Sequence, residues 1–335
     1  MYKRQALIKA AFATADEHGA VSFAFQGGEP TVAGLDFFRD FVAMVSAFRP
    51  LDRQVSYALQ TNGMALNEEW THFLKENQFL VGLSVDGYRE LHDHYRVDTK
   101  GEGTYGRVAK ALALLQKFEV ETNLLCVVTG QCAKHPQKTY ASMKKLGVRY
   151  LQFIPCLDPL EEQRGRAVYS LTPKLYGDFL CGLFDQWYRD WAEGHYTSVR
   201  LFDDYVHLAM GEPASTCAAS GGCGSYFVVE ADGGVYPCDF YVLDRWRMGD
   251  VHTDSLKQLA NDETASEFLR QGRLRPSRCA SCRWVPLCNG GCRRDWTGGA
   301  DDTENYYCES FRRFFEYAAD RIGEIAWQER RSRMR

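Results

Sequence analysis

The sequence has no long hydrophobic run. No stretch approaches the roughly 18 uninterrupted apolar residues that a membrane-spanning helix needs. The opening segment, MYKRQALIKAAFATADEHG, also lacks the apolar core and small-residue cleavage site of a secretory signal peptide. These absences argue against a membrane or secreted protein, and we expect the protein to be cytoplasmic, without a membrane partner.

An excess of basic residues is absent as well. The chain has 40 Lys and Arg against 44 Asp and Glu, a formal net charge of −4. Such a balance provides no attraction for a phosphate backbone, so we expect no nucleic-acid partner. The sequence contains no internal repeat or low-complexity tract, and its 45% apolar residues are enough to build buried cores in a globular protein.

Short β-rich runs alternate with helical patterns through the first half of the chain. Each run is largely apolar and bounded by turn residues, which predicts βα units and a parallel sheet or partial barrel. The predicted strands cover 21–26, 55–61, 80–86, 122–129 and 150–155, and the helices between them cover 35–48, 68–77, 105–118 and 136–146. Residues 3–18 have a helical pattern that ends at Gly19. Because no predicted strand precedes this helix, we expect the first strand to be missing.

The pattern changes after residue 172 to two helical segments, 173–192 and 199–210. A region dense in glycine and cysteine follows, in which 225–238 alternate around a DGG turn and predict a hairpin. Residues 306–331 then have a long helical pattern. We expect three parts: an α/β domain over 1–212, a cysteine-rich domain over 213–310 and a C-terminal helix over 311–335.

Eight of the twelve cysteines lie between residues 217 and 308. Four of them form the run C-x2-C-x5-C-x3-C, and eight thiolates are enough for two complete four-ligand sites. Disulfides are disfavoured because the cytosol keeps thiols reduced. The spacing does not choose between iron–sulfur clusters and structural zinc. The eight are Cys217, Cys223, Cys238, Cys279, Cys282, Cys288, Cys292 and Cys308.

The segment FAFQGGEPT follows the first predicted strand. Its glycines allow a ligand to approach the backbone, and its carbonyls and Glu29 could accept from an ammonium group, although a tight structural turn would explain it too. It occurs with LQTNG, GLSVDG, LQFIPCLDPL, VYPCDFYVLD and CRWVPLCNGGCRR. Together these segments closely resemble the anaerobic sulfatase-maturating enzymes of the radical S-adenosylmethionine superfamily, over about residues 3–325.

The resemblance implies a partial (β/α)6 radical-SAM barrel followed by a SPASM-type domain with two auxiliary [4Fe–4S] clusters. It assigns one cluster to Cys217, Cys223, Cys238 and Cys292, and the other to Cys279, Cys282, Cys288 and Cys308. It also implies that S-adenosylmethionine is bound by Gln26, Gly27, Gly28, Glu29, Ser84 and Leu157. Arg96 would pair with the cofactor's carboxylate, although a surface salt bridge is a rival explanation.

The chemistry implied by the resemblance is oxidation of a sulfatase cysteine or serine to Cα-formylglycine. Asp239, directly after Cys238, matches the family's proposed base, although it could instead cap a turn. The implied partners are an unfolded sulfatase polypeptide and an electron donor such as flavodoxin or ferredoxin. Competing hypotheses are another SPASM-type peptide-modifying enzyme, a non-catalytic iron–sulfur or peptide-binding relative, and a zinc-stabilised binding module.

One motif of the family has no counterpart in this sequence. No three cysteines have the spacing C-x3-C-x2-C, which in the family binds the cluster that cleaves S-adenosylmethionine. We therefore expect a third cluster only where a missing N-terminal segment supplies that motif. Without that motif, the chain as it stands is expected to be inactive. We expect it to be a fragment of an active enzyme rather than a degenerate relative, because GGEP and Asp239, which serve the chemistry, are intact.

Overall fold

A computed structural model describes residues 2–16, 19–160, 162–224, 226–298 and 303–334. It forms two compact units. Unit 1 comprises residues 1–82, 111–121 and 223–274, and unit 2 comprises residues 83–110, 122–222 and 275–335.

One six-stranded sheet has its strands in the order in which they occur along the chain. The strands are β1 (Ala20–Phe25), β2 (Gln54–Thr61), β3 (Phe79–Ser84), β4 (Thr122–Val128), β5 (Tyr150–Pro155) and β6 (Ser198–Val199). The pairs β1–β2, β4–β5 and β5–β6 are parallel, as the βα rhythm predicts. The α/β fold class with a parallel sheet is therefore confirmed.

Helices follow these strands at nearly the predicted positions. The Asn67 side chain caps the helix Glu68–Glu76, and Thr172 caps the helix Pro173–Ala192 ahead of Pro173, the usual signals for a helix start. Strand β6 and the short helix Arg89–Tyr95 were not predicted. The helices up to residue 209 are α1 (Tyr2–Thr14), α2 (Leu35–Phe48), α3 (Glu68–Glu76), α4 (Arg89–Tyr95), α5 (Tyr105–Lys117), α6 (Gly130–Ala133), α7 (Pro136–Lys144), α8 (Pro173–Ala192) and α9 (Arg200–Ala209).

The cysteine-rich region contains short elements. The predicted hairpin is confirmed, and a third strand, Gly249–Asp250, pairs with it. The elements are α10 (Cys217–Ser220), β7 (Val228–Val229), β8 (Gly234–Tyr236), β9 (Gly249–Asp250), α11 (Leu256–Ala260), α12 (Glu263–Arg273), α13 (Val285–Cys288), β10 (Trp296–Thr297), β11 (Glu304–Asn305) and α14 (Cys308–Arg333). None of the helices in the described ranges is long and apolar enough to cross a membrane.

Each unit has its own apolar core. In unit 1, α1, β1 and α2 bury Ile8, Phe23 and Phe41 together, and α1 also packs against the hairpin region through α11. In unit 2, α14 packs on α8 and α9, where the rings of Phe202 and Phe314 stack with centroids 5.6 Å apart. These cores fix the ends of the strands and helices from which the candidate site residues project.

Candidate functional site

The GGEP turn follows the carboxyl end of β1. Gly27 has φ +91°, a conformation that side chains with a Cβ rarely adopt, and Gly28 has φ +48°. No atom lies within 4 Å of the position that a Cβ would occupy on either residue. The glycines are therefore required by the backbone conformation, and the backbone beside them is open to a ligand.

Glu29 holds this turn to the end of β2. Its Oε1 accepts hydrogen bonds from Thr31 N at 3.0 Å, Thr31 Oγ1 at 2.6 Å and Thr61 Oγ1 at 2.8 Å. Its Oε2 accepts from Asn62 N at 2.7 Å, which places the LQTNG segment in the same network. The carboxylate thus has a structural role that the sequence did not reveal, and its role toward a cofactor ammonium group stays a prediction.

Ser84 and Arg96 lie around a buried carboxylate of unit 2. Ser84 is buried at the end of β3, two residues before Asp86. Arg96 Nε donates to Asp86 Oδ2 at 2.6 Å and Nη2 donates to Oδ1 at 3.3 Å, while Val127 N also donates to Oδ1 at 2.8 Å. The structure thus gives Arg96 a salt bridge to a buried carboxylate, not the surface salt bridge considered as its rival explanation. Its pairing with S-adenosylmethionine stays a prediction.

Leu157 is half-buried in the loop after β5. The next residue, Asp158, is buried and accepts hydrogen bonds from Ser170 Oγ at 2.5 Å and Gly165 N at 3.0 Å. Arg294 Nη2 donates to the Asp158 carbonyl at 2.6 Å. This loop is therefore anchored by a buried polar network within unit 2, which fixes the backbone that carries Leu157.

Asp239 and Gln26 come together in unit 1, although 213 residues separate them. Gln26 Nε2 donates to Asp239 Oδ2 at 3.0 Å, and Tyr226 OH donates to Oδ1 at 2.7 Å. Asp239 is exposed, and Gln26 and Tyr226 reach its carboxylate from other segments of the chain. The predicted base thus lies beside a predicted cofactor-binding residue.

Tyr226 was missed by sequence reasoning. Its hydroxyl lies 3.3 Å from Cys238 Sγ as well as 2.7 Å from Asp239 Oδ1. Burial raises the pKa of Tyr226 far above its ordinary value, and the hydrogen bonds to Cys238 and Asp239 raise it further, so the hydroxyl is a neutral donor. A tyrosine just before a short strand carries no functional signal until the fold places it against Cys238, a predicted cluster ligand.

Four cysteines of unit 2 surround one cavity of about 350 Å³, lined also by Trp284, Phe311 and Phe315. Burial raises the pKa of Cys288 to about 12, and the nearby thiols add to the shift. Asn289, Gly290 and Gly291 all have positive φ and turn the chain sharply after α13. The four cysteines are Cys279, Cys282, Cys288 and Cys308.

The other predicted ligand set, Cys217, Cys223, Cys238 and Cys292, is divided between the two units. In unit 1, Cys223 and Cys238 pack on the same cluster of Tyr241, Trp246 and Phe268. Gly272 permits this, because a Cβ there would lie 2.4 Å from Cys223 Sγ. In unit 2, Cys217 begins α10, and Cys292 Sγ accepts from Arg294 N at 3.4 Å. This ligand set as a whole stays a prediction.

Comparisons with known proteins identify the family. Residues 2–143 match the radical SAM superfamily, and residues 221–283 match SPASM, an iron–sulfur cluster-binding domain. The cysteine-type anaerobic sulfatase-maturating enzyme of Clostridium perfringens is 44% identical over 313 residues, 93% of this chain and 85% of that protein. The chain belongs to the anaerobic sulfatase-maturating enzymes.

A serine-type relative and a solved structure are also similar to this chain. The serine-type enzyme of Bacteroides thetaiotaomicron is 30% identical over 317 residues, 89% of this chain and 76% of that protein. The solved structure of native anSMEcpe with bound AdoMet and the Kp18Cys peptide superposes with a TM-score of 0.94 at 43% identity, covering 98% of this chain and 90% of that chain. The predicted radical-SAM fold with a SPASM domain is confirmed, and the protein is a radical SAM enzyme that uses S-adenosylmethionine and [4Fe–4S] clusters.

The residues of unit 2 fit an auxiliary cluster better than zinc. Thiolates around one zinc ion stand about 2.3 Å from it and leave no cavity between them. Here the four thiols line a cavity of about 350 Å³ instead. A multi-atom [4Fe–4S] group suits this arrangement.

The metal content of the protein tests the assignment of two iron–sulfur clusters. Anaerobically purified protein should be brown and contain about eight iron atoms, two four-iron clusters. Cys279→Ser should remove about half of the iron and destabilise the cysteine-rich region, because cluster binding and folding are coupled. Cys181→Ser is the matched control, since Cys181 lies in α8 outside both ligand sets. Iron analysis and the visible spectrum measure the result. Colourless protein with about two zinc atoms would contradict the cluster assignment.

Proposed function

We propose that this protein oxidises a cysteine in an extended, unfolded sulfatase segment to Cα-formylglycine. The observation that carries the proposal is the higher identity to the cysteine-type relative than to the serine-type relative. An extended substrate is expected because a folded sulfatase would not present the backbone of the target residue. The reaction belongs in the cytoplasm, where thiols stay reduced, and needs an electron donor such as flavodoxin or ferredoxin.

The proposed oxidation converts the cysteine side chain to an aldehyde in two stages. The substrate CH2–SH group loses one hydrogen atom from Cβ, one proton from sulfur and one electron, which gives a thioaldehyde. Water then replaces sulfur, which leaves as hydrogen sulfide, and the aldehyde remains. When bound, S-adenosylmethionine would supply the radical that takes the hydrogen atom, and an auxiliary cluster would take up the electron.

Asp239 is the proposed base for the thiol proton. Its exposure makes the carboxylate accessible to a peptide, and the donors Gln26 and Tyr226 fix the direction of both oxygens. Gln26 also begins the turn in which Gly27 and Gly28 leave open backbone for the cofactor's amino-acid group. Ser84, Arg96 and Leu157 are the other residues that the family resemblance assigns to the cofactor.

Substrate preference tests this function. An active form of the protein, joined to a segment that carries C-x3-C-x2-C, should convert a sulfatase peptide with a target cysteine at least about tenfold more efficiently than its serine counterpart. A thiol gives up its proton far more easily than an alcohol, so one carboxylate base favours cysteine. Mass spectrometry of the two peptides gives kcat/KM for each. Equal or better turnover of the serine peptide would contradict cysteine specificity, and no aldehyde from either would contradict the function.

A further inference from the structure

A triangle of three polar atoms lies next to the proposed base. Tyr226 OH is 2.7 Å from Asp239 Oδ1 and 3.3 Å from Cys238 Sγ, and the sulfur is 3.6 Å from the same Oδ1. All three residues belong to unit 1. The hydroxyl proton is therefore within hydrogen-bonding reach of both the carboxylate and the sulfur.

Ligation of Cys238 changes what this triangle needs. A free thiol donates its own proton to the carboxylate, but a thiolate bound to iron has none to donate. Two electron-rich acceptors then face each other, and the Tyr226 hydroxyl is the donor that contacts both. A hydrogen bond to a cluster sulfur stabilises the reduced, more negative cluster and so raises its reduction potential.

We propose that Tyr226 is a positioning residue that orients the Asp239 carboxylate and, through the Cys238 sulfur, raises the reduction potential of the auxiliary cluster that Cys238 ligates. The inference rests on the proposed function, because it makes one hydroxyl serve both the proton acceptor and the electron acceptor of the same oxidation. Tyr226 acts through the two residues that its hydroxyl contacts, Asp239 and Cys238.

The variant Tyr226→Phe tests this role. It removes the hydroxyl and keeps the ring. Tyr226 is 41% exposed, so the packing of the ring should persist. Tyr196→Phe is the matched control, because Tyr196 OH donates to Asp203 Oδ1 at the same 2.7 Å distance in unit 2 and Tyr196 is 53% exposed. The protein for both tests is the 335-residue chain with its two auxiliary clusters reconstituted, since the measurement does not require turnover.

Redox titration followed by electron paramagnetic resonance gives the potential of each cluster. In Tyr226→Phe, one cluster should show about a tenfold lower ratio of reduced to oxidised form at a fixed potential, about 59 mV for a one-electron couple. The magnitude follows from the net strength of one hydrogen bond. The second cluster and both clusters of Tyr196→Phe should be unchanged, and iron content should equal that of the wild type.

Three outcomes would overturn the inference. They are unchanged potentials in Tyr226→Phe with full iron content, an equal shift in Tyr196→Phe, or loss of iron from Tyr226→Phe alone, which would make the residue structural. Failure of the proposed function is distinguishable from these outcomes. A wild-type active form that makes no formylglycine would refute the function while leaving the measured potential shift intact.

Discussion

Incubated anaerobically with dithionite and S-adenosylmethionine, the 335-residue chain should release no 5′-deoxyadenosine above a protein-free control. Cleavage needs an iron with an open coordination position, and thus a cluster held by three protein ligands. Both auxiliary ligand sets have four cysteines and leave no position open. The same chain joined to a strand and a C-x3-C-x2-C segment should release 5′-deoxyadenosine.

The four remaining cysteines do not supply a substitute site. Cys126 and Cys132 are completely buried, and the neighbouring Cys132 thiol, together with burial, raises the pKa of Cys126. Burial raises the pKa of Cys156 and of Cys181 to about 11 each, and the two lie on different elements, Cys156 directly after β5 and Cys181 within α8. An extended form with its three motif cysteines changed to alanine is the control. Cleavage by the 335-residue chain would refute the ligand assignment.

Asp239→Asn should lower formylglycine production by the active form about 10²-fold or more, the usual scale for a lost general base. Asparagine keeps the size of the side chain and one acceptor oxygen, so iron content and S-adenosylmethionine binding should be nearly unchanged. Cleavage of the cofactor should continue, because it precedes proton removal from the substrate. The measured quantity is formylglycine formed per 5′-deoxyadenosine, which should fall with the same factor.

A nearby carboxylate provides the control for this substitution. Asp244 is exposed, lies five residues further along and starts the next single-turn helix, Asp244–Trp246. Asp244→Asn should leave the ratio of formylglycine to 5′-deoxyadenosine unchanged. If Asp239→Asn behaves in the same way as Asp244→Asn, Asp239 is a structural residue and the base lies elsewhere.

Secondary structure was predictable where periodicity extends over several turns. Helices α2 and α8 begin and end at the predicted residues, because their apolar stripes are long and a proline or glycine marks an end. Strand β6 was missed, because two residues are too few for a periodic signal and its pairing with β5 depends on the fold. The short helix α4 was missed for a similar reason, since one or two turns give little pattern.

The sequence by itself determined the family, the α/β class and the residue types of the candidate site. Its motifs and its cysteine spacing are local patterns, and local patterns are visible along a chain. Only the tertiary structure decided three sets of hydrogen bonds. Arg96 donates to Asp86, Glu29 accepts from Thr61 at the end of β2, and Tyr226 donates to Cys238 and Asp239. Such partners are chosen by packing between segments distant in sequence, so burial and hydrogen-bond geometry fix them and spacing does not.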